Sequence, residues 1–308
     1  MTNRKRPVLL CIGDIDMDII ITVPAPPGKD QKIDGKCVAR TAGGMAANVA
    51  VGASRLGTVT RLLGVVGDDE MGREALSALN YEGIDLTHSQ VRVGVPTFFC
   101  VVLVDAEGEK SLVKAVSPAY LPQVSDVKAA SFDGVTHVHM TFTKPDLAFA
   151  VIAQANAAGA SISLDLEAAD VPDDCGDVTK LIESVDLLFI SENSRKAVEQ
   201  RIGCQLASAC RSIVMTRGPY GASVEQHGEI YEVSGHTIDV VDTTGAGDAF
   251  AAAYLHYILS GSNAVKALQA ANIAGALSTQ AYGGQAGMVS KTQIEEFLLA
   301  QKNEIDNA

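Results

Sequence analysis

The run Asp242-Thr-Thr-Gly-Ala-Gly-Asp-Ala-Phe250 holds the residue types best suited to chemistry. Glycines 245 and 247 let the chain turn tightly and present successive N–H groups, and the apolar stretch from Ala249 to Leu259 predicts a helix that begins at that turn. Amides exposed at a helix N-terminus hold phosphate. Asp248 stands beside them. Its carboxylate can take a proton from a hydroxyl while the N–H groups of Gly245, Ala246 and Gly247 neutralise a transferring phosphoryl group. A base next to an anion hole is the equipment of phosphoryl transfer. The plainer reading is a strand-to-helix turn in which Asp248 merely complements the helix dipole.

A second group is Asp14, Asp16 and Asp18, which alternate along Gly13-Asp-Ile-Asp-Met-Asp18 and so project to one face at the end of a strand. Each carboxylate can accept hydrogen bonds from two adjacent hydroxyls, which suits a polyol; an exposed acidic turn is the alternative. His137 and His139 also share one face of a strand, where a packed or solvated pair fits better than a metal site.

Positioning these groups requires an alternation of strands and helices. Val8–Ile12 reads as a first strand, 60–66 as a second, and 71–82 as a helix ended by Gly83. Strand 135–140, helix 146–157, strand 160–165, helix 178–184, strand 186–190, helix 194–201 and strand 212–216 then follow in order. Repeated units of this kind predict a parallel sheet covered on both faces. Two hairpins interrupt the alternation, one over 97–116 around Asp105-Ala-Glu-Gly108 and one over 222–234. A small-residue helix opened by Thr41-Ala-Gly-Gly and running to about Leu56, and a helix over about 263–281, complete the pattern. No Pro/Gly-rich linker divides the chain, so residues 1–308 read as one unit with a core over about 7–300.

Composition excludes several functions. The 308 residues carry 24 Lys+Arg against 37 Asp+Glu, a formal charge of −13 that repels nucleic acid and anionic membranes. The longest strongly apolar stretch, Phe98 to Val104, has seven residues where a bilayer span needs roughly 20. Arg4, Lys5 and Arg6 precede an apolar run too short for a signal peptide. The six cysteines are scattered with no C-x-x-C pair, which fits reduced thiols in a cytoplasmic protein and speaks against zinc. Gly13 is followed by Asp14, Ile15 and Asp16 rather than by G-x-G-x-x-G, which argues against a dinucleotide-dependent oxidoreductase.

The form of residues 242–248 resembles the C-terminal signature of the ribokinase-like carbohydrate kinase family, also called the phosphofructokinase B family. Gly43-Gly-Met-Ala-Ala-Asn-Val-Ala50, followed by Ala53-Ser-Arg-Leu-Gly57, is similar to its N-terminal signature. Gly64-Val-Val-Gly-Asp-Asp69 with Gly72, and Met215-Thr-Arg-Gly-Pro-Tyr-Gly221, resemble the family too, and the matches cover about residues 8–300 in the expected order.

This resemblance implies a ribokinase-like three-layer α/β/α fold with a mainly parallel central sheet and a small β-sheet lid from about 14–42 and 93–116. It implies an ATP-dependent kinase acting on a hydroxyl of a small sugar, polyol or nucleoside, with Mg·ATP as donor and Asp248 as base. Thr216, Gly218 and Gly221 would approach the nucleotide phosphates, Asn272 would flank the adenine, and Asp18 with Asp14 and Asp16 would bind acceptor hydroxyls above a floor of Gly43, Gly44 and Asn48. A monovalent cation such as K+ would sit at Asp242 and the Thr244 carbonyl, opposite the Gly283-Gly284 loop. The lid, with apolar residues such as Phe98, Phe99 and Val101 exposed, would pair two subunits into a homodimer.

The chain departs from the family pattern at two places. Met45 stands where ribokinases carry Lys after the Gly-Gly pair, which removes a cationic donor and speaks against plain ribose kinase activity. The family's N-x-x-E element, which organises magnesium and phosphate, is replaced by Ser191-Glu-Asn-Ser-Arg195: Glu192 and Arg195 take the Asn and Glu places, or a shift puts Asn193 in service. A binding sensor that keeps the kinase fold without turnover is therefore the alternative function. Three carboxylates would reject an anion placed beside them and favour a neutral acceptor. Lys29, Lys32, Arg40 or Lys114 on the lid would tolerate one at the far end of the substrate.

Overall fold

The computed structural model describes residues 6–172 and 174–306; Arg4 and Lys5 of the N-terminal basic run lie outside them. The first half of the chain forms β1 (Val8–Ile12), β2 (Asp16–Thr22), β3 (Lys36–Gly43), α1 (Met45–Arg55), β4 (Val59–Leu63), β5 (Val65–Gly67), α2 (Glu70–Tyr81), β6 (Gln90–Arg92), β7 (Phe99–Val104) and β8 (Lys110–Ala115). Then come β9 (His137–Met140), α3 (Pro145–Ala158), β10 (Ser161–Asp165), α4 (Gly176–Glu183), β11 (Leu187–Ser191), α5 (Glu192–Ile202), α6 (Leu206–Ala209) and β12 (Ser212–Thr216). The chain closes with β13 (Ala222–Gln226), β14 (Glu229–Val233), α7 (Ala246–Leu259), α8 (Ala264–Ser278) and α9 (Lys291–Asp306).

The central sheet runs β14-β13-β12-β11-β10-β9-β1-β4. From β12 to β4 its neighbours are parallel, and the hairpin β13–β14 adds antiparallel strands at one edge. Alternation along each strand divides its side chains between two cores. Leu9 and Cys11 of β1 face α1, α2, α7, α8 and α9, whereas Leu10 and Ile12 face α3 to α6. This is the expected three-layer α/β/α fold. Small residues let the first layer pack closely, since a Cβ on Gly52 of α1 would come within 2.7 Å of the Ala252 methyl of α7. That proximity brings the start of α1 to the start of α7.

Strands β3-β2-β7-β8 form the expected separate lid, in which β2 and β7 are parallel although each also has an antiparallel partner. Three details differ from the sequence reading. The apolar run 60–66 breaks at Gly64, where a Cβ would strike the Ile15 side chain at 2.5 Å; β4 stays in the central sheet and β5 pairs with β6. Phe98 is buried, not exposed, and stacks edge-on against Tyr120 at 4.7 Å; the more exposed apolar residues near the lid edge are Val113 at 61% and Val116 at 68%. Helix α9 was not anticipated, and Ile294 anchors it in the core. His137 and His139 are buried and bond Ser161 and Ser163 of β10; burial holds their pKa values down at about 4 and about 3. No helix among the described residues is long and apolar enough to cross a membrane.

Candidate active site

Between the lid and the carboxyl ends of the central strands lies a cavity of about 410 Å3, where open α/β sheets place their ligands. Its wall includes Asp14, Asp16 and Asp18, Gly44, Met45 and Asn48 at the start of α1, and the segment 243–248. Thr216 enters from the last position of β12. The two groups singled out by their chemistry, 230 residues apart in sequence, therefore share one space.

Gly245 caps α7 in the left-handed region, φ 77°, and a Cβ there would lie 2.6 Å from Gly284 Cα. Glycine is required by both the conformation and the contact. The Ala246 N–H reaches the Thr243 carbonyl at 3.3 Å, while those of Gly245, Gly247 and Asp248 have no protein acceptor among the described residues. A Cβ on Gly247 would meet nothing within 4 Å, so no protein atom requires glycine there. This open cradle of amides suits phosphate.

Asp248, in the first turn of α7, is buried, and its Oδ2 accepts a 2.8 Å hydrogen bond from Asn48 Nδ2. Burial raises its pKa to about 7, with Asp14 and Glu167 adding repulsion and the Asn48 bond opposing the rise. A carboxylate titrating there is matched to proton abstraction at neutral pH.

The β2 side of the cavity is more heavily charged. Asp14, Asp16 and Asp18 are all buried. Asp14 Oδ1 accepts from the Ala46 N–H at 3.3 Å and from Thr141 Oγ1 at 3.4 Å; Asp16 Oδ2 faces the Cys100 thiol at 3.4 Å, and Asp16 Oδ1 has no partner. Burial and mutual repulsion push Asp16 well above the usual carboxylate range and Asp18 to about 6, and burial also raises Asp14. A Cβ on Gly43 would overlap Asp16 Oδ1 and Asp18 Oδ2, so this glycine leaves the two carboxylates room.

Several residues from the sequence reading lie elsewhere. Glu192 pairs with Lys196 at 3.5 Å along α5, and Arg195 turns to Glu199 and Glu225; Ser191 and Ser194 face the cavity from that region instead. Gly218 and Gly221 shape the turn between β12 and β13. Asn272 donates to the Ser234 carbonyl at 2.8 Å and lines a separate hollow between β14, α8 and α9. Both Asp242 oxygens are taken within the loop, Oδ1 by the Thr244 N–H and hydroxyl and Oδ2 by the Gly283 N–H. Asp242 thus ties two loops together.

Three lining residues, Asp165, Glu167 and Lys110, did not stand out in the sequence. A signal existed for the acids, because Asp165 ends the strand read over 160–165, Glu167 follows two residues later, and parallel strands end at sites. Lys110 could have been found by stepping two residues at a time from Lys114.

A family model described as the pfkB family carbohydrate kinase matches residues 7–291. The chain belongs to this family of carbohydrate kinases. It is 30% identical over 283 residues to an ATP-dependent ribose-1-phosphate kinase of Halopiger xanaduensis, covering 90% of this chain and 93% of that one. It is 25% identical over 310 residues to a ribokinase of Haemophilus influenzae, covering 95% and 99%. Among solved structures it is similar to an E. coli protein described as a candidate ribokinase II, in complex with ATP and Mg2+. That likeness has a TM-score of 0.81 at 22% identity over 96% of this chain and 100% of the other. Membership in the pfkB family places the chain among carbohydrate kinases, and the solved structures share its fold.

Proposed function

We propose that the protein transfers the γ-phosphoryl group of ATP to a hydroxyl of a small sugar, polyol or nucleoside, with Asp248 as general base and the Gly245–Gly247 segment as anion hole. The observation that carries this reading is the single cavity in which Asp248, the exposed amides at the start of α7 and the three β2-side carboxylates meet. The acceptor hydroxyl sits against Asp248, which takes its proton; the hydroxyl oxygen bonds to the γ-phosphorus, the bond to the bridging oxygen breaks, and ADP leaves. Asp14, Asp16 and Asp18 orient the remaining hydroxyls, and the amides of 245–248 stabilise charge on the transferring group.

Mg2+, when bound with ATP, offsets charge on the phosphates. With Glu192 turned outward, Asp165 and Glu167 would hold it. Their pKa values are raised by enclosure in the cavity and by neighbouring carboxylates, and neither is in an ion pair among the described residues, a donor set that suits a hard cation. Asp242 accepts three loop hydrogen bonds, two on Oδ1 and one on Oδ2, which leaves about one carboxylate lone pair, beside the Thr244 carbonyl, for K+. Thr216 would approach the nucleotide phosphates. Dimerisation through the lid is part of the proposal, with the β8 edge and Val113 as the surface, and light scattering tests it.

The deciding experiment measures ADP release by the purified protein with ATP, Mg2+ and a panel of sugars, polyols, sugar phosphates and nucleosides. Release above the ATP-alone background with one acceptor supports the kinase. Binding of ATP and sugar with no acceptor-dependent release would instead leave the sensor.

A further inference from the structure

Two cationic side chains line the cavity, Lys110 and Lys114, against six carboxylates: Asp14, Asp16, Asp18, Asp165, Glu167 and Asp248. Both lysines lie on β8, the lid's outer strand, where alternation turns Lys110, Leu112 and Lys114 to the cavity while Ser111, Val113 and Ala115 face away. Neither ammonium group comes within 4 Å of a carboxylate among the described residues, nor does either make a hydrogen bond there. Lys114 nonetheless acts electrostatically on Asp14, Glu167 and Asp170, and Lys110 on Asp18, Glu167 and Asp248, so both charges are felt across the site.

The strand register puts Lys114 in a specific relation to the acceptor carboxylates. Asp18 of β2 stands opposite Cys100 of β7, and Cys100 stands opposite Lys114 of β8. The three residues form a row across the lid, with Asp18 and Lys114 separated by two strand spacings, about 10 Å. Between them the thiol of Cys100 is kept protonated by burial and the nearby aspartates, so it adds no charge. An acceptor lying along this row has hydroxyls over Asp18 at one end and reaches the ammonium group of Lys114 at the other. A hydroxyl needs no such cation, because the carboxylates already supply acceptors. Among the side chains lining the cavity, cationic compensation for an anionic group comes only from β8, since Met45 occupies the start of α1.

We propose that Lys114, assisted by Lys110, binds an anionic group on the acceptor, a phosphate or carboxylate held at the end remote from the hydroxyl that is phosphorylated. This inference rests on the kinase reading and names its substrate class: a sugar already carrying negative charge. A neutral sugar then binds by its hydroxyls alone and forfeits the charge-assisted contact.

The test compares kcat/KM for ribose 1-phosphate, ribonate and ribose in the wild type and in Lys114→Met, Lys110→Met and Lys114→Arg. The wild type should favour at least one anionic acceptor over ribose, and which of the two it favours separates phosphate from carboxylate. Lys114→Met should reduce that preference by roughly 10–100-fold, mostly through KM, which is the scale of a hydrogen bond to a charged group. Lys110→Met should reduce it less, and Lys114→Arg should restore most of it. A wild type that prefers ribose, or a preference unchanged in Lys114→Met, overturns the anion site and leaves the kinase standing. ADP release with none of the three acceptors removes the anion site, and failure across the wider panel removes the kinase reading as well.

Discussion

The two halves of the cavity handle charge by different means. On the proposed donor side, the start of α7 offers neutral dipoles: glycines, exposed N–H groups and a cradle that no protein side chain fills. The acceptor side is built from full charges, three buried carboxylates whose pKa values are raised and two lysines across the lid. Dipoles fixed by a helix need no counter-ion and cost less to bury than full charges, whereas packed carboxylates lose hydration and repel one another until a ligand's hydroxyls arrive. The donor side is thus prepared in advance, and the acceptor side stores unfavourable interactions that a substrate can relieve.

Asp248 joins the halves, so removing its charge should have the largest effect. Asp248→Asn keeps the shape and cannot take a proton. Turnover should fall by roughly 10²–10⁴ while ATP affinity, measured by calorimetry, changes little. Near-wild-type turnover would mean that the base lies elsewhere.

Burial of Asp18, together with repulsion from neighbouring carboxylates, predicts a trade between stability and function there. A carboxyl group whose folded pKa is raised, here to about 6, destabilises the fold progressively as pH climbs from its unfolded value near 3.8 through 6, because the unfolded state releases its proton first. Asp18→Asn removes this cost. The unliganded variant should melt roughly 2–5 °C higher than the wild type at pH 8 and show little gain at pH 4. Its kcat/KM for the acceptor should drop about 10–100-fold with the loss of a charged acceptor. Equal melting temperatures at pH 8 would show that the acidic side carries no such strain.

The donor side makes the opposite prediction. Gly247→Ala adds a methyl where no protein atom lies within 4 Å, so melting should be unchanged while KM for ATP rises about tenfold. Gly245→Val, whose Cβ would meet Gly284, should lose both stability and ATP binding. If Gly247→Ala binds ATP normally, the phosphates do not approach that amide.

The halves also differ in how much of them the sequence discloses. The donor side is one contiguous string, so residue types and spacing alone indicate Asp248 and its amides. The acceptor side is assembled from β2, β8, β10 and α1, and only its contiguous part, Asp14 to Asp18, is legible. Asp165, Glu167 and Lys110 depend on which strands become neighbours, and register is a tertiary fact. The same reason explains the split at Gly64: one buried apolar run serves two sheets, and nothing local marks the transfer. The alternating strands and helices were legible because each carries its own periodicity. Glu192 instead turns outward beside Lys196 four residues on, a spacing that the sequence displays.

The smallest effect lies where the halves touch, in the hydrogen bond from Asn48 of the acceptor floor to Asp248. Without that bond, burial and repulsion from Asp14 and Glu167 would raise the base still further, because a donor to the ionised oxygen favours the charged form. The wild-type kcat/KM should therefore rise with pH and level off above an apparent pKa of about 7, the value of the free enzyme's base. Asn48→Leu, similar in size but unable to donate, should move that limb to higher pH by roughly 0.5–1 unit, the scale of one hydrogen bond to a charged group in a partly polar site. Activity at pH 6 should then fall several-fold more than activity at pH 9. A variant that loses the same factor at every pH would show that Asn48 serves only the acceptor, and that the base is tuned from its own side of the cavity.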